Sequence, residues 1–313
     1  MARKLRIQFE GACYHIINRG NYRADVFANQ GAAKAFETCL WEACEKTGWR
    51  LHAYVVMRNH YHLAVETPQP NLVEGMHWLQ STFATRFNRF RSENGHVFQG
   101  RYKAILLEPG PILAYVVNYI HLNPHRAGLL PVDRLHEYRL SSYWHFRKKK
   151  KTRPACLTCE EWLWNLGGLT DTAAGWKSYQ DYLTWLATDE TAQKQQAFDK
   201  MTKGWALGSA TFRKELLKDQ AAQITEQNCS GCEWLDIKEH QWSLRLNELL
   251  KAAGKSVASA RTCNKSASWK AAIASELRRT TTASNAWISR MLHMGTASSV
   301  SRWVGAYRTK FKK

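Results

Sequence analysis

The sequence predicts an α+β protein, an antiparallel sheet with helices followed by a mostly helical C-terminal region. Three observations carry this. A split β-α-β-β-α-β-α order of patterns fills the first 146 residues, helical stretches rich in Trp and Leu follow, and 44% hydrophobic with 12% aromatic residues over 313 positions suffices for more than one core.

The elements read in order as follows. "ACYHIINRG" (Ala12 to Gly20) is a strand, and Ala32 to Gly48 is a helix whose apolar positions recur at three and four and which Gly48 stops. "LHAYVVM" and "YHLAVET" are two β-rich runs joined around Arg58 and Asn59, a hairpin. A helix from Asn71 to about Phe90 carries Leu72, Met76, Leu79, Phe83 and Phe87, and "VFQGRYKAILLE" resumes as strand. After "PGP", Ile112 to Asn123 is helical and is expected to end there, because the residue before Pro124 resists the helical region. This order is expected to place the helices on one face of the sheet.

Charge divides the chain further. The total is +19, made of +12 over residues 1–153, −4 over 154–254 and +11 over 255–313. Two basic blocks flanking an acidic middle favour a long polyanion, which we take to be nucleic acid. "RKKKKTRP" (Arg147 to Pro154) looks like a linker, since a run of like charges repels itself. The expected organisation is therefore a domain over 1–146, a basic linker over 147–154, an acidic, mainly helical region over 155–254, and a basic region over 255–313. In that last block a helix, a second helix (Ser284 to Leu292), a turn at Gly295 and a third helix (Thr296 to Tyr307) follow the pattern of a helix-turn-helix, with Ser298, Ser299 and Arg302 offered to DNA. The N-terminus lacks the apolar core of a signal peptide, and no segment reaches the ~18 apolar residues of a membrane span. A cytoplasmic, nucleoid-associated chain with reduced cysteines and no membrane partner is expected.

The chemistry concentrates in "MRNHYHLAVET". On a strand, residues two apart project from one face, so His60 and His62 can share an ion. Such a pair alone is more often a hydrogen-bonded core pair, so a third ligand and a nucleophile are needed. Tyr115, Tyr119 and Asn123 supply candidates at four-residue spacing on the helix before Pro124. Asn123 offers an amide oxygen, and Tyr119 a phenol one turn earlier.

"NHYH" (Asn59 to His62), together with "NYIHLNPHRAGL" (Asn118 to Leu129) and "FQGRYKA" (Phe98 to Ala104), resembles the REP-associated tyrosine transposases of the HUH single-strand DNA transposase superfamily, over roughly residues 5–145. The resemblance implies a ferredoxin-like or RRM-like sheet, His60, His62 and Asn123 as metal ligands, and Tyr119 as nucleophile, with Tyr115 the runner-up. It further implies a 5′-phosphotyrosine intermediate on single-stranded DNA carrying a hairpin or palindrome, in a monomer or a dimer. The block "SNAWISRMLHMGTASSVSRW" is similar to the DNA-binding helix-turn-helix of the bacterial replication initiator. Imidazoles with an amide oxygen and open positions suit Mg²⁺ or Mn²⁺. Arg86, Arg89 and Arg91 on the second helix, with Arg101 and Lys103 near the fourth strand, are expected to track phosphates.

Two other functions stay open at this level. One is a catalytically inert DNA-binding regulator, which has no use for Tyr119 and Asn123. The other is a zinc hydrolase, for which the chain lacks a HExxH general-base motif. Two CxxC pairs, Cys156 with Cys159 and Cys229 with Cys232, offer four thiolates for zinc, but their separation favours unconnected thiols.

Overall fold

The computed structural model describes residues 7–219 and 232–310, in two compact units that divide between residues 228 and 229. The first unit contains β1 (Ala12–Arg19), α1 (Gln30–Thr47), β2 (Arg50–Val56), β3 (His60–Thr67), α2 (Leu72–Arg91), β4 (Lys103–Leu107) and α3 (Pro111–Arg126). After these come α4 (Ser142–Phe146), α5 (Glu160–Trp164), α6 (Ala173–Thr188), α7 (Glu190–Gln195), β5 (Ala206–Leu207) and α8 (Ala210–Asp219).

The strands form one sheet in the order β2-β3-β1-β4-β5. The first four pair antiparallel in the ferredoxin-like arrangement, and β5 adds to β4 in parallel. The fourth strand is shorter than its sequence pattern, because the backbone of residues 97–102 pairs with the sheet through an isolated bridge between Gly20 and Phe98 rather than a continuous ladder.

Both faces of this sheet are covered, where the sequence led us to expect helices on one. α1 starts at Asn29, whose Oδ1 accepts from Gly31 N, and stops at Gly48 in the left-handed region at φ 70°. Its Phe36 packs against Tyr61 of β3 and Phe83 of α2. On the opposite face, Ala53, Val55, Ala64 and Ile105 share a core with Val116, Val117 and Ile120 of α3. The strands are nearly continuous apolar runs for this reason. α3 also runs through Pro124 to Arg126, past its expected end. Proline removes one N–H and crowds the carbonyl four residues earlier, and in the final turn of a buried helix packing outweighs that local cost.

The expected linker folds into the same core. Trp162, Trp176 and Tyr179 join the cluster that α3 helps to build, so residues well beyond 154 belong to the first unit. Arg153 makes a bidentate pair with Asp171 at 2.7 and 2.9 Å, both side chains about nine-tenths buried, and lies beside the stacked rings of Phe146 and Trp176. The run does not separate domains because its last charge has a buried partner, while its lysines remain in solvent. Polar side chains thread the interior too: His121 lies between Tyr179 and Ser142, and Asn118 meets both Tyr179 and Gln196. Burial holds His121 neutral, its pKa pushed down to about 3.

The second unit contains α9 (Cys232–Ala252), α10 (Val257–Thr262), α11 (Ser268–Thr280), α12 (Asn285–Leu292) and α13 (Ala297–Lys310) around Trp242, Leu246, Leu277, Trp287, Ile288, Val300 and Val304. Ser284 caps α12 by accepting from Trp287 N, and Gly295 turns the chain at φ 87° before α13. The expected helix, turn and helix are therefore present. Of the two CxxC pairs, Cys229 and the side chain of Cys232 lie outside the described residues. Among the described residues no helix is long and apolar enough to cross a membrane.

Replacing Arg153 by Met leaves the Asp171 carboxylate buried without its counter-ion, which is expected to destabilise the first unit by about 3 kcal/mol in urea unfolding. A change below about 0.5 kcal/mol, the range of ordinary surface substitutions, would return the segment to the status of a tether.

Candidate active site

The pairing of β1 with β3 sets Arg19 opposite His60, Ile17 opposite His62 and His15 opposite Ala64. Alternation along each strand then places His15, Arg19, His60 and His62 on the face that α3 covers. Lys103 pairs with Ile17 from the other side and joins them. The rings of His60 and His62 stand nearly perpendicular, their centroids 5.2 Å apart.

A chain of hydrogen bonds fixes the protons on these rings. The Met201 carbonyl can only accept, so His15 donates to it from Nδ1 at 2.9 Å and keeps a lone pair on Nε2. That lone pair accepts from His62 Nδ1 at 2.9 Å, which leaves a lone pair on His62 Nε2. Asn59 donates its amide to the Arg23 carbonyl and presents Oδ1 to His60 Nδ1 at 2.7 Å, so His60 also keeps its lone pair on Nε2. Burial pushes the pKa of His15 and of His60 down to about 4 and holds His62 well below the usual range. Two neutral imidazoles with oriented Nε2 lone pairs are what a divalent cation requires, and their Nδ1 partners are those that stiffen metal-binding histidines.

Tyr119 meets this pair from α3. Its ring lies edge-on to His62 at 5.7 Å and to His15 at 6.0 Å. Tyr115, one turn earlier, is partly buried against the hydrophobic cluster to which Tyr119 belongs, and no ring contact joins it to the histidines among the described residues. Phe198 closes the far side of the Tyr119 ring at 5.5 Å, and the Arg126 guanidinium lies over it at 4.9 Å. Burial raises the phenol pKa above 10, while the charge and hydrogen bond of Arg126 pull it back down. Asn123 is buried one turn on, its Nδ2 donating to the Tyr119 carbonyl at 2.8 Å, so Oδ1 is the atom left to act as a ligand. Imidazole nitrogens and an amide oxygen are donor types that a divalent cation accepts.

Three cations surround these groups. Arg19 faces His60, Lys103 acts on His15 from the neighbouring strand, and both Arg19 and Arg126 act on His62. The sequence reading missed His15, Arg19 and Arg126. The first two follow from strand alternation on "YHIINR", and Arg126 from its seven-residue spacing to Tyr119. Met201 and Phe198 left no local signal, since only the tertiary fold brings them here. Of the expected phosphate contacts, Lys103 stands on the active face and Arg101 is exposed just before β4. Arg89 and Arg91 are exposed in the last turn of α2, and Arg91 pairs with Glu93. Arg86 is engaged elsewhere, bidentate on Glu42 at 2.9 and 3.1 Å, where it ties α2 to α1. In the second unit Ser298 and Arg302 are exposed on α13, and the Ser299 hydroxyl meets that of Thr296 at 3.0 Å.

Residues 8–123 match the family described as Transposase IS200 like. Two solved structures are similar. The REP-associated tyrosine transposase bound to a REP hairpin is 16% identical, with 46% of this chain and 84% of that one covered and a TM-score of 0.38. A Deinococcus radiodurans R1 protein assigned to the transposases is 20% identical, with 41% and 92% covered and a TM-score of 0.28. No curated protein matches the chain.

His15→Ala removes the acceptor that orients His62, and Mn²⁺ affinity measured by calorimetry is expected to fall ~10–100-fold. Unchanged affinity would mean that His62 needs no such support.

Proposed function

We propose that the first unit cleaves and rejoins single-stranded DNA at palindromic hairpin elements through a 5′-phosphotyrosine, with Tyr119 as nucleophile and His60, His62 and Asn123 holding Mg²⁺ or Mn²⁺. The observation that carries this reading is the Tyr119 ring set edge-on to His62, beside two imidazoles whose Nε2 lone pairs are free for a cation. The hairpin substrate follows from the resemblance of the NHYH and NYIHLNPHRAGL motifs to the REP-associated tyrosine transposases.

The bound cation supplies Lewis acidity at the scissile phosphate. Arg19, Lys103 and Arg126 neutralise phosphate charge around it, and Arg126 favours the phenolate of Tyr119 against the effect of burial. The Tyr119 oxygen attacks phosphorus and its proton leaves to solvent. The bond from phosphorus to the 3′ oxygen breaks, and that oxygen takes a proton to give a free 3′-OH. Rejoining reverses these events, as a 3′-OH from a second strand attacks the phosphotyrosine and the phenol regains its proton. The second unit adds duplex affinity through the exposed face of α13, where Ser298 and Arg302 stand.

The decisive experiment incubates a labelled hairpin oligonucleotide with the full chain and Mn²⁺, followed by a denaturing gel. A covalent adduct is expected with the wild type and with Tyr115→Phe, and none with Tyr119→Phe or after chelation. Binding without an adduct in the wild type, across several palindromes, would leave a DNA-binding regulator. For the second unit, Arg302→Ala is expected to lower duplex affinity and reduce the salt slope of binding by about one. An unchanged slope takes that side chain off the phosphates.

A further inference from the structure

The same face of the sheet carries a second group of ligating side chains that the strand-transfer reading does not use. Cys13 and Glu66 are direct cross-strand partners of β1 and β3. His52 enters beside them because the register of β2 on β3 slips between Leu51 and Ala53, which makes His52 the extra residue of a bulge. One ligand atom from each of the three lies within 4.8 Å of the other two. His52 is 1% exposed, and its Nδ1 has no hydrogen-bond partner. Its Nε2 comes within 3.3 Å of Glu66 Oε2, a contact that lowers the pKa of the Glu66 carboxyl. A buried ring nitrogen left in this state costs stability unless something else answers it.

We propose that Cys13, His52 and Glu66 form a binding site for a divalent ion of the zinc class, independent of the His60 and His62 pair. The donor set is the first argument, since a thiolate sulfur, an imidazole nitrogen and a carboxylate oxygen are the three ligand types of protein-bound zinc. Charge is the second: one thiolate and one carboxylate offset the two positive charges of the ion in a place that solvates charge poorly. Orientation is the third. Arg50 donates to Glu66 Oε1 at 3.0 Å and leaves Oε2 turned toward His52, the outer support that metal-binding carboxylates receive. Glu66 stands four residues beyond His62 on an extended strand, about 13 Å away, so the two sites do not share an ion. An ion held here joins β1, β2 and β3 and stabilises the sheet in proportion to its occupancy.

Cobalt(II) reports this site directly, because a thiolate ligand gives a sulfur-to-cobalt charge-transfer absorption that a site made of histidine and asparagine lacks. Titration of the metal-free full-length chain is expected to develop that absorption to saturation within two equivalents, since the His60 and His62 pair also takes a divalent ion, with loss on adding Zn²⁺. Cys13→Ser is expected to abolish it. In the isosteric Glu66→Gln, which tests the site even where the cysteine variant fails to fold, Co²⁺ affinity is expected to fall at least tenfold. The proposal is overturned by no absorption in the wild type, by an absorption that persists in folded Cys13→Ser (another cysteine would then be the ligand), or by unchanged affinity in Glu66→Gln. None of these readouts depends on DNA cleavage, so they stand or fall apart from the proposed strand transfer.

Discussion

Antiparallel pairing of β1 with β3, in the register that sets Ile17 opposite His62, decides which way both histidines point. A slip of one residue would turn His60, His62 and His15 toward α1 and α2, and would carry Tyr61 and Leu63 out of the aromatic core they share with those helices. Burial on both faces makes such a slip expensive. The same register brings Arg19 beside His60 and Cys13 beside Glu66, so one set of backbone hydrogen bonds positions both proposed metal sites at opposite ends of one face.

The region after residue 146 completes that face rather than following it. β5 extends the sheet beside β4, Met201 sets the tautomer of His15, and Phe198 closes against Tyr119. α3 is held between the sheet and these later helices, and its polar groups Asn118 and His121 find partners on both sides. Tyr119, the proposed nucleophile, is thus carried on a helix buried along nearly its whole length, which suits a group that must meet a phosphate at one fixed distance.

Much of this was legible in the sequence, and the reasons are local. Strand and helix periods differ, so the order of the first seven elements could be read from the spacing of apolar residues. The facing of His60 with His62 and of Tyr119 with Asn123 follows from the same two periods. What failed depended on distant partners. The basic run read as a linker because Asp171, which neutralises Arg153, lies eighteen positions away and gives no local sign. Arg86 read as a phosphate contact because Glu42 is on another helix. The second covered face did leave a sign, in strands apolar at nearly every position, which a half-exposed sheet does not show. Pro124 misled because a rule about local cost was applied where the helix is held by its burial.

The origin of Met201 and Phe198 also sets an order of events during synthesis. A ribosome that has released residues through 146 has delivered both histidines, Tyr119 and Asn123, yet the carbonyl that fixes His15 and the ring that closes on Tyr119 have not been made. Domains fold as units while the chain emerges. The nascent protein therefore holds all the reactive groups for an interval without their finished arrangement, and they lock together only when the chain has returned to lay β5 beside β4.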